Sequence, residues 1–378
     1  MISRLLSKIA DYIRETDKLL LILCIFASVY GSSLVLSTTM HDPNLQHFWV
    51  GVGGSLVGII GAIVISVIDY ENLGKRWYLI VGVSLVLLIL TRLWGFAPPG
   101  ATDRSWLRIP GTNLSIQPSE FILVGFIVTF AYHIHILGDE AKSFKNTMIL
   151  AAHGLTPAIL INVLQNNDGV SIVAGIVFLV MFFAAGIKMR YFIIAGAALA
   201  AATPIIWYGV MAEYQQNRIL NIFDPYRDPY GIGYQQRIAR MAIGSGGLLG
   251  VGFLNGTIHP NLFASRNDFI FMVAGEEFGF LGAIAIVIIL MAICMRALRV
   301  SSIARDKMGS LICIGVLTLL AIQSIINIGM NLSLLPVIGI NLPFFSSGGS
   351  STVATFLLIG LALSVFKHRH KRILSIKG

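Results

Sequence analysis

Four carboxylates stand where carboxylates are costly. Glu120, Asp268, Glu276 and Glu277 each adjoin or enter a long apolar run. Hydrocarbon cannot solvate an ionised group, so such residues face a bundle interior or a wet cavity. An ionised aspartate in that setting can take a proton from a hydroxyl. It can also cap the helix that follows it, a role aspartate fills well, and Asp268 is open to both readings. Glu276 lies eight residues further on, which on one continuous helix is about 12 Å along the axis and roughly the same face. Glu276 and Glu277 fit either a functional site or packing salt bridges. Gln323 and Asn327, four residues apart, can share a helix face and bond across helices.

Arginines form a second set. Arg218, Arg227, Arg237, Arg240 and Arg266 fall within 49 residues that end just before Asp268. A planar guanidinium fork suits phosphate and carboxylate in a way an ammonium does not. The cluster therefore suits an anionic substrate, with pairing of Arg227 to Asp224 or Asp228 as the structural alternative.

The elements that must carry these residues are membrane helices. Apolar residues make up 56% of the 378 and charged residues 12%, about half the charge of an average soluble domain. Apolar runs long enough to cross about 30 Å of hydrocarbon recur along the chain. The pattern predicts an all-α integral membrane protein with ten spans: 19–38, 48–69, 77–96, 118–136, 147–164, 170–188, 190–210, 269–295, 309–331 and 349–366. The first run is a full span behind a charged segment, Arg4 to Lys18, so no cleavable signal is expected.

Basic residues set the orientation. With the N-terminus cytoplasmic, 19 of the 27 basic residues fall on inner segments, among them every lysine. The basic tail then returns to the same side. The other eight are all arginines on the outer side, Arg92, Arg104 and Arg108 joining those named above. The net charge of +9 is thus mostly topology, and nucleic acid is not an expected partner. Cys24, Cys294 and Cys313 lie in or near spans and read as small apolar side chains, and no histidine has metal-site spacing.

Three outer segments stand out: 97–117, broken by Pro98, Pro99, Pro110 and Gly111; 211–268, the longest; and 332–348, rich in Pro, Gly and Ser. Long loops on a rigid scaffold often carry function. The last is expected to be a re-entrant rim buried in protein, because lipid cannot satisfy its amides. The whole chain is expected to form one membrane domain with these segments as its active face.

Those segments carry a family resemblance. Asp224-Pro225-Tyr226-Arg227-Asp228-Pro229-Tyr230-Gly231-Ile232-Gly233-Tyr234-Gln235 resembles the outer loop of the SEDS family, the RodA, FtsW and SpoVE proteins. So do Ala242-Ile243-Gly244-Ser245-Gly246-Gly247-Leu248-Leu249-Gly250 and Asn255-Gly256-Thr257. Further matches are Asn267-Asp268-Phe269-Ile270-Phe271, Gly275-Glu276-Glu277-Phe278-Gly279, Ser105-Trp106-Leu107, Gln117-Pro118-Ser119-Glu120, Asn327-Ile328-Gly329-Met330, Leu335-Pro336, Leu342-Pro343 and Ser347-Gly348-Gly349-Ser350. The wording leans towards RodA. Two positions depart: Leu123 stands where the family commonly has Lys, and Gln165-Asn166-Asn167-Asp168-Gly169 stands for Gln-Pro-Asp-Leu-Gly.

The resemblance implies a peptidoglycan glycosyltransferase that polymerises lipid II at the outer face of the bacterial cytoplasmic membrane, in elongation or division. It implies a class B penicillin-binding protein, a transpeptidase, as partner beside lipid II and membrane lipids. Transfer from an α-linked lipid pyrophosphate to a β-linked polymer needs one inverting displacement, so a single base suffices, and Asp268 is the candidate. The expected substrate-binding residues are Trp106, Glu120, Arg218, Arg240, Gly246, Gly247, Glu276, Glu277, Asn327 and Ser347, with the glycines letting backbone approach the ligand. No resident cofactor is expected; a divalent cation, Mg or Mn, could share the pyrophosphate charge. A lipid II flippase and a non-catalytic scaffold of the cell-wall machinery are the competing readings.

Overall fold

The structure, a computed structural model, describes residues 15–40, 45–98, 103–112, 114–224, 226–228 and 230–370. Arg4, Lys8, Arg14, Pro99, Pro225, Pro229, Lys371, Arg372 and Lys377 lie outside the described residues. The helices in chain order are α1 Lys18–Thr39, α2 Gln46–Val67, the short α3 Tyr70–Lys75, α4 Trp77–Trp94, α5 Pro118–Leu137, α6 Phe144–Gln165, α7 Asp168–Ala184 and α8 Met189–Ile205. They continue as α9 Glu213–Phe223, α10 Ile232–Ser245, α11 Ile270–Glu277, α12 Gly279–Ser302, α13 Lys307–Asn331 and α14 Gly349–Lys367. A two-stranded antiparallel hairpin, β1 Leu107–Arg108 with β2 Ser115–Ile116, interrupts the α pattern.

Among the described residues nine helices are long and apolar enough to cross a membrane, so this is an all-α, multi-pass membrane protein. The expected ten spans need two corrections. The sixth is a helix of 17 residues, α7, shorter than the 170–188 read from hydropathy. The eighth, expected to run unbroken over 269–295, is interrupted at Phe278–Gly279, and the long helix begins at Gly279. Glu276 and Glu277 therefore ride on the short α11 and not inside a span.

Burial sorts the helices into centre and rim. In α14 78% of the span is buried inside the protein and in α13 61%, while α8 buries none of its side chains. Small residues make the tightest seam. A Cβ on Gly54 would meet the Gly349 carbonyl oxygen at 2.9 Å, one on Gly58 the Phe356 ring at 2.8 Å, and one on Gly360 the Ala62 Cα at 2.8 Å. Without a hydrophobic force between helices in lipid, such close backbone approach supplies the packing energy. At one end of the bundle Arg305 bonds Asp69, Glu71 and Asp306, tying α3 to the start of α13.

The other end gathers the three unusual segments. Arg104 N donates to Gln165 O at 3.1 Å and Ser347 N to Arg266 O at 2.8 Å, and Gln117 N donates to Ser350 Oγ at 3.1 Å. Segment 332–348 has no regular structure, and Val337, Ile340, Leu342, Phe344 and Phe345 are buried in it. Its backbone presses on α1, where a Cβ on Gly31 would lie 2.3 Å from Phe344 O.

Candidate functional site

The turn that carries Asp268 is fastened through its carbonyls. Arg266 O accepts from Ser347 N at 2.8 Å, and Asn267 O from Ser346 Oγ at 2.6 Å. Asp268 O accepts from Asn327 Nδ2 at 2.9 Å and Asn331 Nδ2 at 3.0 Å. Asn327 also donates to Ile340 O at 2.7 Å, and Asn331 Oδ1 receives Met272 N at 3.1 Å. Gln323 and Asn327 thus serve different elements, since Gln323 donates to Glu120 Oε2 at 3.4 Å.

The helix-cap reading of Asp268 does not hold. α11 begins at Ile270 behind Phe269, with no side-chain cap. Asp268 and Glu276 accordingly share no helix, and the one-face spacing fails with it. The Asp268 carboxylate is half-buried and accepts no hydrogen bond from a described residue. Its neighbours are the close backbone of Gly339, where a Cβ would sit 3.6 Å from Oδ2, and the charges of Asp103 and Arg218. Burial pushes its pKa up to about 6, the Asp103 charge adds to this, and Arg218 opposes it.

Arg218, on α9, stacks over Tyr214 with its guanidinium carbon 5.4 Å from the ring centre. Its Nε is buried without a partner, and it closes no ion pair among the described residues. Beside it opens a cavity of about 370 Å³ lined by Asn162, Asp168, Gln215, Ile219, Pro336 and Ile338 among others. Asp168 is held from two sides, by Asn162 Nδ2 at 2.8 Å and Gln215 Nε2 at 2.6 Å. The departure at 165–169 thus leaves an acidic residue on the cavity wall. Asp103, Asp168, Tyr214 and Gln215 belong to this site, and sequence reasoning missed them as site residues.

Glu276 is engaged elsewhere. Its oxygens accept Thr257 N and Ile258 N at 2.7 Å, His259 N at 2.8 Å and His259 Nδ1 at 3.0 Å. Burial pushes its pKa up, but the His259 side chain and the Ile258, His259 and Thr257 amides reverse this and leave it lowered. Glu277 is fully buried and accepts from Ser37 of α1. The two glutamates hold the 252–259 loop to the helices, in place of the expected substrate contact.

The glycines of 244–250 divide evenly, Gly246 and Gly250 packed, Gly244 and Gly247 with open space at the Cβ position. A Cβ on Gly246 would lie 2.0 Å from Gly275 O, and one on Gly250 2.1 Å from Glu277 O. Gly247 has φ +54 and open space around its Cβ position, while its carbonyl accepts Phe280 N at 2.9 Å at the start of α12. Gly246 therefore serves close backbone packing, and Gly247 a turn.

The remaining expected residues scatter. Trp106 is half-buried, its backbone bridged to Phe96. Glu120 is buried beside Gln323, with Leu123 buried where a lysine was absent. Arg240 is exposed on α10. Arg227 bonds Asn217 Oδ1 at 3.3 Å, not the Asp224 or Asp228 side chain. Those aspartates cap local amides: Asp224 that of Tyr226, and Asp228 those of Gly231 and Ile232. Ser347 meets the site through its amide. Among the described residues no group of three or more His, Cys, Asp or Glu is placed to hold a metal ion.

A multi-pass helical scaffold that fixes the Asp268 carboxylate near Arg218, itself on a cavity wall, defines a membrane protein with a loop-built polar site. The family model described as "Cell cycle protein", for FtsW, RodA and SpoVE, matches residues 14–371, and the chain belongs to this family. It is 31% identical over 368 residues to the probable peptidoglycan glycosyltransferase FtsW of Trichlorobacter lovleyi, covering 93% of each chain. It is 30% identical to the peptidoglycan glycosyltransferase MrdB of Escherichia coli, covering 95% of each. Among solved structures it resembles a chain of a peptidoglycan synthase complex that coordinates polymerization and crosslinking, with TM-score 0.80, 26% identity, and 94% and 99% of the two chains covered. Its fold also matches Thermus thermophilus RodA, with TM-score 0.69, 23% identity, and 94% and 98% covered.

Proposed function

We propose that this protein is a peptidoglycan glycosyltransferase that polymerises lipid II with inversion, Asp268 acting as general base. The observation that carries the reading is the Asp268 carboxylate: half-buried, unengaged, on a turn held at three successive carbonyls. The acceptor hydroxyl oxygen attacks the donor's anomeric carbon, its proton passes to the Asp268 carboxylate, and the bond to the lipid pyrophosphate breaks. A base near its operating pH suits that transfer, and a rigid backbone keeps it in register with both lipids.

Arg218 takes the leaving pyrophosphate: it lines the cavity and no ion pair among the described residues engages it. Trp106 stacks on a sugar or peptide of the substrate. Any divalent cation would arrive with the pyrophosphate, because the described residues offer no cage for one. The site end faces outward and the basic end faces the cytoplasm, as the charge bias suggests. A class B penicillin-binding protein receives the strands.

The test is polymerisation of purified lipid II by the purified protein, with and without that partner. Glycan strands are expected, and Asp268→Asn should make none while still folding. Lipid flipping without polymer would favour the flippase instead.

A further inference from the structure

Asp103 lies three residues before Trp106, and the reaction drawn above leaves it without a role. It is nonetheless built into the site. Its Oδ2 accepts from Ser105 Oγ and from Asn167 Nδ2, the latter at 3.1 Å. Asn167 caps α7 by accepting Val170 N at 3.0 Å, and the neighbouring Arg104 amide is bonded to Gln165 O. Asp103 is thereby fixed to the α6–α7 turn. The next residue of that turn, Asp168, holds Gln215 of α9, and Arg218 lies one turn along α9. On its other side the turn packs against the cavity wall, where a Cβ on Gly169 would lie 2.4 Å from Ile338 O. Gly339, the next residue of that wall, is the one against Asp268.

We propose that Asp103 is a positioning residue: it is held on the α6–α7 turn where its charge reaches both Arg218 and Asp268, and its carboxylate keeps Asp268 a competent proton acceptor. The inference rests on the reading of Asp268 as base. The physical need is plain. A guanidinium placed to receive a pyrophosphate also stabilises a nearby carboxylate in its ionised form and so weakens it as a base. A second carboxylate offsets that charge without occupying the cavity. The charges that act on Asp268 are Asp103 and Arg218. Those that act on Asp103 are Arg218 and Asp168, with Ser105 hydrogen-bonded to it, and Tyr214 stands beside Arg218.

The pH dependence of kcat/KM for lipid II polymerisation by the full-length protein tests this. Asp103→Asn keeps groups for Ser105 and Asn167 but removes the charge. It should move the acid limb to lower pH by about half a unit or more and lower the plateau rate several-fold, and Asp103→Glu should restore the limb. Asp103→Ser, also uncharged, should shift the limb in the same direction if the asparagine variant folds poorly. A lower rate at every pH with an unmoved limb overturns the proposal and leaves Asp103 structural. Asp268→Glu is the control. If it too leaves the limb in place, Asp268 is not the titrating base, and the reading beneath the proposal falls first.

Discussion

Asn327 holds Asp268 by its backbone: Nδ2 donates to the aspartate carbonyl at 2.9 Å and, with its other hydrogen, to Ile340 O at 2.7 Å. One amide thus spaces the Asp268 turn from the 332–348 segment. Asn327→Ala leaves the Ile340 carbonyl without its donor and the Asp268 carbonyl with Asn331 alone, which should destabilise the protein by about 1–3 kcal/mol. Thermal unfolding of the purified variant measures this. Turnover should fall further than the loss of folded protein explains, because the carboxylate loses its register.

The acid limb of the wild-type reaction should lie near pH 6. The Asp268 pKa is raised to about 6, and a base works only when deprotonated, so the rate should rise with pH through that value. The sign is opposite for stability. A carboxyl group whose folded pKa is raised favours the fold at low pH, and that contribution is lost as pH rises through about 6. Asp268→Asn should therefore be inactive yet no less stable at pH 7.5, which calorimetry and polymer gels check together.

Arg218→Lys keeps a charge and loses the fork. Loss of a charge-assisted bond of about 1.5–3 kcal/mol lowers turnover by roughly 10-fold or more. The melting temperature should stay close to wild type, since Arg218 closes no ion pair among the described residues. A lysine variant that melts early but turns over normally when folded would move the leaving-group role elsewhere.

Glu276→Gln should damage the fold and not the chemistry. The carboxylate accepts three amides and the His259 ring, and an amide side chain must turn a donor towards one of them. A loss of about 1–3 kcal/mol is expected. In the wild type the folded pKa of Glu276 is lowered below its ordinary 4.5. Its contribution is present above 4.5 and fades as pH falls through the folded value. Unfolding followed below pH 5 should show that fade in the wild type and not in the glutamine variant.

Gly246→Ala tests the packed role of the glycine run. A methyl group there meets Gly275 O at 2.0 Å, so α10 and α11 must part. Poor folding is expected, whereas substitution of the exposed Leu248 should be tolerated.

The sequence displayed the spans plainly, because an apolar run long enough for a bilayer admits few other fates. It hid the break at Phe278–Gly279. Hydropathy continues across it, and the cause is remote: Gly279 adopts φ +64 where a Cβ would lie 2.4 Å from Gly250 N. The sequence also hid the late start of α11 at Ile270, which leaves Asp268 outside the helix that carries Glu276. Residue type and setting singled out Asp268 and Arg218 as candidates, with Asp268 open between cap and base until the family resemblance favoured the base. Asp103 was not, since its place depends on a hydrogen bond to Asn167, 64 residues away, which no local spacing announces.

The fastening of residues 266–268 has an evolutionary consequence. The bonds to Ser346, Ser347, Asn327 and Asn331 take only the carbonyls of 266–268, and Ser347 enters them by its amide, so these bonds read no side chain at 266, 267 or 347. They do read the side chains of Asn327, Asn331 and Ser346. As far as these bonds govern it, the sequence around the aspartate can drift while its distant supports stay fixed. A saturation library should find the intolerant positions 59 to 79 residues downstream of the turn they secure.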